Sequence, residues 1–207
     1  MSRPVAIQDA VILEAARQVF LAQGYGAGTA LIARKAGVSV GSLFKHFKTK
    51  DDLFRAAMDV SGYAQAWETR LMSAAGTGDV RCTLEAAGHD LLTRLQTMIP
   101  RVVMVNASGV TIPGCRSARH PPPPIRLIAI LARYLQAETR HGRLRVKAPA
   151  SLAHVFVGAL SHYVFCDCFF RYRSAPPRAY VRSLVGALLG AAGGNRPAKR
   201  PRRPVHS

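Results

Sequence analysis

Residues 37–47 of the chain read GVSVGSLFKHF. Val38, Leu43 and Phe47 have the spacing of one face of a short helix, so all three can pack against a supporting core. Ser39 stands just before this helix and suits the N-cap position, where its hydroxyl accepts a hydrogen bond from an unpaired backbone N–H. Small or polar residues at the front of such a helix fit a DNA major groove, because they permit close approach to the duplex.

Taken alone, this stretch is equally consistent with an ordinary amphipathic helix that has a solvated basic face. The flanking sequence favours DNA binding, because residues 29–35 predict a preceding helix and Ala36-Gly37 supplies the glycine turn of a helix-turn-helix. Downstream, Thr49 can cap a further helix that carries two carboxylates in its first turn. Five Lys or Arg and no Asp or Glu lie from residue 34 to residue 50, an excess of positive charge suited to phosphate.

Three segments of the N-terminal quarter together resemble the DNA-binding region of TetR-type transcriptional regulators. They read ILEAARQVFLAQGYG at 12–26, IARKAGVSVGSLFKHF at 32–47 and KTKDDLF at 48–54. The resemblance implies an all-α fold, in which an N-terminal three-helix DNA-binding domain with a helix-turn-helix is joined by a long helix to a C-terminal helical ligand-binding and dimerisation domain. The implied domains span residues 1–50 and 51–192, and the basic segment 193–207 is expected to be a disordered tail.

The resemblance also implies DNA-binding roles for individual residues. Val40, Gly41 and Ser42 would lie nearest the base edges, and Lys50 would hold a phosphate. The full implied set is Thr29, Ser39, Val40, Gly41, Ser42, Phe44, Lys45, His46 and Lys50.

Two departures from the family pattern affect this set. Phe44 stands where the family usually has a tyrosine that bonds a phosphate through its hydroxyl, so that contact is lost and the ring keeps its packing role. The loop after Tyr25 is one residue shorter than usual, which leaves Ala27-Gly28 where the family often has hydroxyl residues. We therefore expect Thr29 to cap the second helix and to contact a phosphate.

The net charge of +18 and the pI near 11.0 indicate a polyanionic partner. The excess extends beyond the helix-turn-helix to residues 171–178 and 196–203. Two alternatives remain: a compositional preference for Arg and Ala, or a nonspecific basic DNA-binding protein. The N-terminus lacks an apolar segment followed by a cleavage site, and we find no apolar run long enough for a bilayer, so we expect a cytoplasmic protein with no membrane partner.

The sequence gives little support for an enzyme, a cofactor or a metal site. We find no nucleophile elbow, phosphate loop or usefully spaced carboxylate pair. The segment His162, Cys166, Cys168 suggests a metal or redox site, but residues i and i+2 of a helix point apart, so the two cysteines cannot share an ion. Buried thiols that act as small apolar residues are the favoured interpretation.

Helical periodicity continues through most of the remaining chain. After a first helix at 8–23, we predict one long helix at 51–75, another from its cap Asp79 to Met98, and a short helix at 101–107 with Pro100 in its first turn. Residues 108–124 predict a surface loop. Helices follow at 125–140, 149–170 and 176–189, and the very apolar 149–170 needs cover on nearly all sides.

By the same resemblance, helices 149–170 and 176–189 pair with those of a second subunit, which gives a homodimer on a double-stranded DNA operator. The resemblance further implies that the middle helices enclose a pocket for an unknown small-molecule effector, and that filling it releases DNA. Large adaptable side chains suit a hydrophobic ligand, although for each residue taken singly ordinary core packing is the favoured explanation. The candidates are Met58, Trp67, Met98, Met104, Tyr134, Phe156 and Tyr163. We expect the helix at 51–75 to transmit the signal.

Overall fold

A computed structural model describes residues 5–60, 62, 64–111 and 123–191, which form nine helices and no strand. The helices are α1 (Val5–Gln23), α2 (Thr29–Ala36), α3 (Val40–His46), α4 (Lys50–Ala57), α5 (Gln65–Ser73), α6 (Val80–Ser108), α7 (Pro123–Arg140), α8 (Pro149–Phe170) and α9 (Pro177–Ala191). The predicted all-α fold is confirmed. The predicted tail at 193–207 and most of the predicted loop at 108–124 lie outside the described residues.

The helix starts depend on local side-chain caps. Ser39, Thr49 and Asp79 each accept a hydrogen bond from the backbone N–H three residues later, at 3.0, 3.0 and 2.8 Å. These three predicted caps are confirmed. The expected cap by Thr29 is wrong: Gly28 occupies the N-cap position of α2, with no side-chain cap, and Thr29 is the first helical residue.

The predicted long helix at 51–75 is also wrong, because α4 ends at Ala57 and α5 begins at Gln65. The two halves bury their apolar side chains in different cores, Met58 in an N-terminal cluster and Trp67 in a C-terminal one. Two separate helices result, and the interval between them contains Gly62, a residue of low helix propensity.

Conversely, the predicted break at Pro100 does not occur. Pro100 lies inside α6, which runs unbroken for 29 residues, although a proline there cannot donate the usual backbone hydrogen bond. Buried residues on both sides keep the helix in place, since Met98 and Arg101 are buried. Gly109, in the left-handed conformation, follows its last residue.

Two apolar clusters form the interior. The N-terminal cluster joins α1 to α4 around Phe20, Leu43 and Phe54, and the C-terminal cluster joins α5 to α9. Helix α6 contributes to both, because Leu84 to Met98 lie in the C-terminal cluster whereas Met104 and Val105 pack against the N-terminal one. At about 1.5 Å per residue its 29 residues span about 43 Å.

Helix α8 is long and apolar enough to cross a membrane, with a mean hydropathy of 1.4 over its most apolar window. The core helix of a soluble protein satisfies the same criterion. Here the inner face of α8 packs against α6, α7 and α9, and about a third of the window is buried. The sequence-based expectation that no such run exists is corrected on this point.

Candidate nucleic-acid interface

The turn between α2 and α3 is built by a glycine. Gly37 has φ 70° and ψ 31°, a left-handed conformation that residues with a side chain rarely adopt. Its N–H donates to the carbonyl of Arg34 at 3.2 Å, and the N–H of Val38 donates to the carbonyl of Ala33 at 3.0 Å. These bonds end α2 and direct the chain into α3, as a helix-turn-helix requires.

The inner side of α3 is held by Leu43, which is fully buried, so the opposite side faces solvent. Val40, Gly41, Phe44 and Lys45 are exposed there. A Cβ placed on Gly41 would meet no neighbour nearer than the Ser39 hydroxyl oxygen, at 3.9 Å. Because packing does not require a glycine at this position, it leaves room for a partner from outside.

His46 lies differently from the other residues implied to contact DNA. Its Nδ1 contacts the Asp9 carboxylate of α1, and only 14% of its side chain is exposed. This side-chain contact joins the C-terminal end of α3 to α1. The histidine therefore helps to hold α3 in place in the free protein.

Two further residues that the resemblance places at DNA, Ser39 and Thr29, already make contacts within the protein. The Ser39 hydroxyl already accepts the backbone N–H of Ser42. Thr29 is half-buried in the first turn of α2.

Lys50, the first residue of α4, is positioned by Tyr25. Its Nζ lies 4.7 Å from the centre of the tyrosine ring, within cation–π range. The Tyr25 hydroxyl donates a hydrogen bond to Asp51, and this bond, with burial, raises the pKa of Tyr25. Arg55 lies 3.4 Å from Asp51 and 3.3 Å from Asp52, so the carboxylates beside Lys50 are already paired.

Sequence reasoning missed Tyr25 and Arg55 as supports of the interface. Tyr25 carries a usable signal, because an aromatic residue in the middle of a helix-breaking Gly-Tyr-Gly run is placed to pack on the next segment. Arg55 carries a weaker signal. It follows Asp52 by three residues and Asp51 by four, and both spacings favour ion pairs on a helix.

The electrostatic character of this surface is positive. Arg34, Lys35, Lys45 and Lys48 are exposed around α3, and no acidic residue occurs from residue 34 to residue 50. The arrangement is suited to phosphate contacts flanking a helix whose leading residues are small.

A separate small apolar cavity lies in the C-terminal cluster, with room for about one water molecule. Its lining residues are Leu84, Leu131, Leu135, Leu144, Leu152, Phe156, Leu188 and Leu189. Of the seven predicted pocket residues, Phe156 lies on its wall. Trp67, Met98, Tyr134 and Tyr163 are buried in the same cluster, whereas Met58 and Met104 pack in the N-terminal cluster.

The outward face of α8 is unusually apolar. Val155 is 58% exposed and Phe170 is 68% exposed, and Phe165 and Phe169 are exposed between them. The exposed residues of neighbouring α9 include a row of small side chains: Ala179, Ser183, Ala187 and Gly190. Exposed apolar groups of this extent indicate a contact surface.

The helix-turn-helix, its basic flank and the second helical core define a DNA-binding protein with a separate helical domain. The sequence model for bacterial regulatory proteins of the TetR family matches residues 12–57. The model for the C-terminal domain of AefR-like transcriptional repressors matches residues 83–190, more than half of the 207 residues. The chain belongs to the TetR family of transcriptional regulators.

Solved structures of this family share the fold. A TetR-family structure from Mesorhizobium loti has a TM-score of 0.71 at 22% identity, with 92% of this chain and 98% of that chain covered. A transcriptional regulator structure from Pseudomonas aeruginosa gives 0.67 at 20% identity, covering 91% of each chain. The FadR regulator of Bacillus subtilis, solved with stearoyl-CoA, gives 0.60 at 17% identity, covering 87% and 97%. At these identities the similarity extends to the fold alone.

Proposed function

We propose that the protein is a sequence-specific repressor that binds an inverted-repeat operator as a homodimer and is released from it by a small hydrophobic molecule. The observation that carries this proposal is the exposed face of α3, with Gly41 unconstrained by packing and four exposed basic residues around it. The base-reading role falls to Val40, Gly41, Ser42 and Lys45. Lys50, held over Tyr25, takes a phosphate.

The dimer is supported by the sizes of the exposed side chains. Helix α8 presents phenylalanines, and α9 presents a row of small residues. The large side chains on α8 of one subunit can pack against the small side chains on α9 of the other. In a two-fold symmetric dimer this contact occurs twice. A four-helix arrangement of α8 and α9 from two subunits would present two recognition helices about 34–36 Å apart, one turn of DNA.

The effector class follows from the cavity wall. Seven leucines and one phenylalanine form this wall, so it offers dispersion contacts and few hydrogen bonds. An aliphatic chain fits such a wall better than a polar or planar molecule. The complex of B. subtilis FadR with stearoyl-CoA shows that this fold can accept such a ligand. The present cavity is far smaller than the sites of about 300–1,000 Å³ that usually hold ligands, so we expect it to widen when occupied.

The coupling path runs along α6 and not along residues 51–75. Leu84, near the start of α6, lines the cavity, and Met104, near its end, packs against the DNA-binding cluster. The Arg101 guanidinium also donates to the carbonyl of Asp59 at 3.1 Å, which ties α6 to the end of α4. A hundredfold loss of DNA affinity requires about 2.7 kcal/mol of coupling between the sites.

The net charge of +18 favours one alternative, a basic protein that binds DNA without sequence preference. The two functions differ in the part of the DNA that the protein recognises. A repressor reads base edges, whereas charge alone recognises phosphates that every duplex presents. Either function places the protein in the cytoplasm with DNA as partner and no membrane.

Selection of bound duplexes from a random DNA library at near-physiological salt separates the two. A repressor dimer enriches an inverted repeat with a fixed half-site spacing. Tight binding with no enriched sequence would reject the repressor and support the nonspecific alternative.

A further inference from the structure

A histidine and a cysteine lie together on the outward face of α8. His162 and Cys166 are one helical turn apart, and the Nε2 of the histidine is 3.5 Å from the Sγ of the cysteine. A tetrahedral zinc ion with Zn–N near 2.0–2.1 Å and Zn–S near 2.3 Å separates two such ligand atoms by about 3.6 Å. The two donors therefore already stand at the distance that a shared ion requires.

The part of one chain that the structure describes supplies only half of such a site. Among the described residues, no group of three His, Cys, Asp or Glu side chains could hold a metal ion together. Cys168 packs against the C-terminal cluster, and the Asp167 carboxylate is bound to Arg173 at 2.7 Å. The described part of one chain therefore leaves two positions of a tetrahedral site for donors from another molecule.

The position of the pair within the apolar face identifies that molecule as a second copy of the chain. On α8 the exposed large apolar residues run from Val155 to Phe170, so the centre of this stretch falls between residues 162 and 163, beside the His162–Cys166 pair. The His162–Cys166 pair is centred on residue 164. In a symmetric antiparallel contact of α8 with itself, centred there, His162 faces Cys166 of the partner subunit and Cys166 faces His162 of the partner subunit.

The His162 and Cys166 side chains are long enough to reach an ion that lies midway between two packed helices. Packed helices lie about 8–10 Å apart, and Cα atoms lie about 2.3 Å from their helix axis, which leaves about 2–3 Å from each Cα shell to the midplane. Cysteine and histidine side chains span that gap. Phe165 and Phe169, with ring centres 4.8 Å apart, flank the pair and would keep water from the ion.

We propose that two copies of the chain bind one zinc-like divalent ion through His162 and Cys166 of each, and that the ion stabilises the dimer. This inference rests on the dimer of the proposed function. Each thiol releases one proton to solvent, so two thiolates balance the charge of the ion and two neutral imidazoles complete the tetrahedron. A neutral site suits an apolar interface, because an unbalanced buried charge is costly.

The test is titration of the metal-free, reduced full-length protein with Zn²⁺ by calorimetry, with Co²⁺ as a spectroscopic probe of tetrahedral thiolate coordination. We expect one ion per two chains, and a tighter dimer by analytical ultracentrifugation with Zn²⁺ than without it. Loss of an outer-shell partner costs metal sites about 10–100-fold in affinity, so C166S and H162Q, which remove ligands, should each cost at least about 100-fold.

Two variants serve as matched controls, C82S and H154Q. Cys82 is an exposed thiol on α6, and His154 is an exposed histidine two turns before His162 on α8. Both variants should bind the ion as the wild type does. Equal loss of affinity in the controls would contradict a site at His162 and Cys166.

The remaining outcomes separate this inference from the proposed function. A stable dimer that binds no Zn²⁺, or binds it equally well as C166S, overturns the metal site and leaves the dimer intact. One ion per monomer overturns the shared site. A chain that stays monomeric with and without Zn²⁺ contradicts the dimer as well.

Discussion

The outward faces of α3 and α8 differ in the chemistry that they expose. On α3 the exposed residues are Val40, Gly41, Phe44 and Lys45, exposed basic residues flank them, and acidic residues are absent from residue 34 to residue 50. On α8 the exposed side chains include three phenylalanines and a valine, and none of them is a lysine or an arginine. A concentration of positive charge suits a hydrated polyanion, whereas a larger apolar area suits a protein surface that excludes water. One chain thus carries two contact faces for two kinds of partner.

The largest expected effect comes from placing a charge in the α8 face. F165E buries an unpaired carboxylate in the proposed dimer contact, so the dimer should dissociate. Because two linked half-sites bind about 10²–10⁴-fold better than one, operator affinity should fall by at least about 100-fold. Ultracentrifugation and fluorescence anisotropy measure the two losses.

Q136E introduces the same charge at an exposed position of α7 and is the control for F165E. It should leave both the dimer and DNA binding unchanged. A monomeric F165E that kept full operator affinity would remove the need for two linked half-sites.

The next effect concerns the packing behind the α8 and α9 faces. A Cβ on Gly88 of α6 would lie 2.8 Å from a methyl of Val181 on α9 and 3.2 Å from the Phe156 ring. G88A should therefore lower the free energy of unfolding by about 1–3 kcal/mol through overpacking. Thermal or urea denaturation measures it. A G88A variant as stable as the wild type would show that Val181 of α9 does not pack closely against Gly88 of α6.

Substitution of Gly41 by alanine should have the opposite effect on stability to substitution of Gly88. G41A has space in the free protein and gains helix propensity, so stability should stay level or rise by up to about 1 kcal/mol. At the DNA surface the added methyl lies where the duplex approaches, and operator affinity should fall about tenfold. Anisotropy together with denaturation separates the two effects. If G41A bound the operator as well as the wild type, the leading end of α3 would not closely approach DNA.

The smallest effect is expected at Lys50. K50A removes one phosphate contact, so the slope of log affinity against log salt should flatten by about one unit or less, and by the same amount on every duplex. Substitution of Ser42 or Lys45 should instead change which base pairs are preferred. A change of base preference in K50A would contradict the division of roles between α3 and α4.

The features that the sequence predicted correctly depend on neighbouring residues. Caps at Ser39, Thr49 and Asp79 and the glycine turn at Gly37 are determined within four residues of chain, which sequence reasoning can follow. The resemblance of the N-terminal quarter to one family then supplied the order of the first helices and the DNA-binding role that we propose for α3.

The failures depend on contacts between distant residues. The break between α4 and α5 arises because Met58 and Trp67 pack in different cores, and the continuity of α6 through Pro100 arises because both sides are buried. His46 pairs with Asp9, 37 positions away. The cavity wall is mostly leucine, which in a sequence is indistinguishable from ordinary core.

The most direct test of the account is the ratio of affinities for two duplexes at near-physiological salt. One carries the selected inverted repeat, and the other has the same composition in shuffled order. Sequence-specific regulators favour their sites by about 10³-fold or more, and we predict a ratio in that range together with a stoichiometry of one dimer per repeat. A ratio near one would show that the charge of +18 governs binding and would contradict recognition of bases by α3.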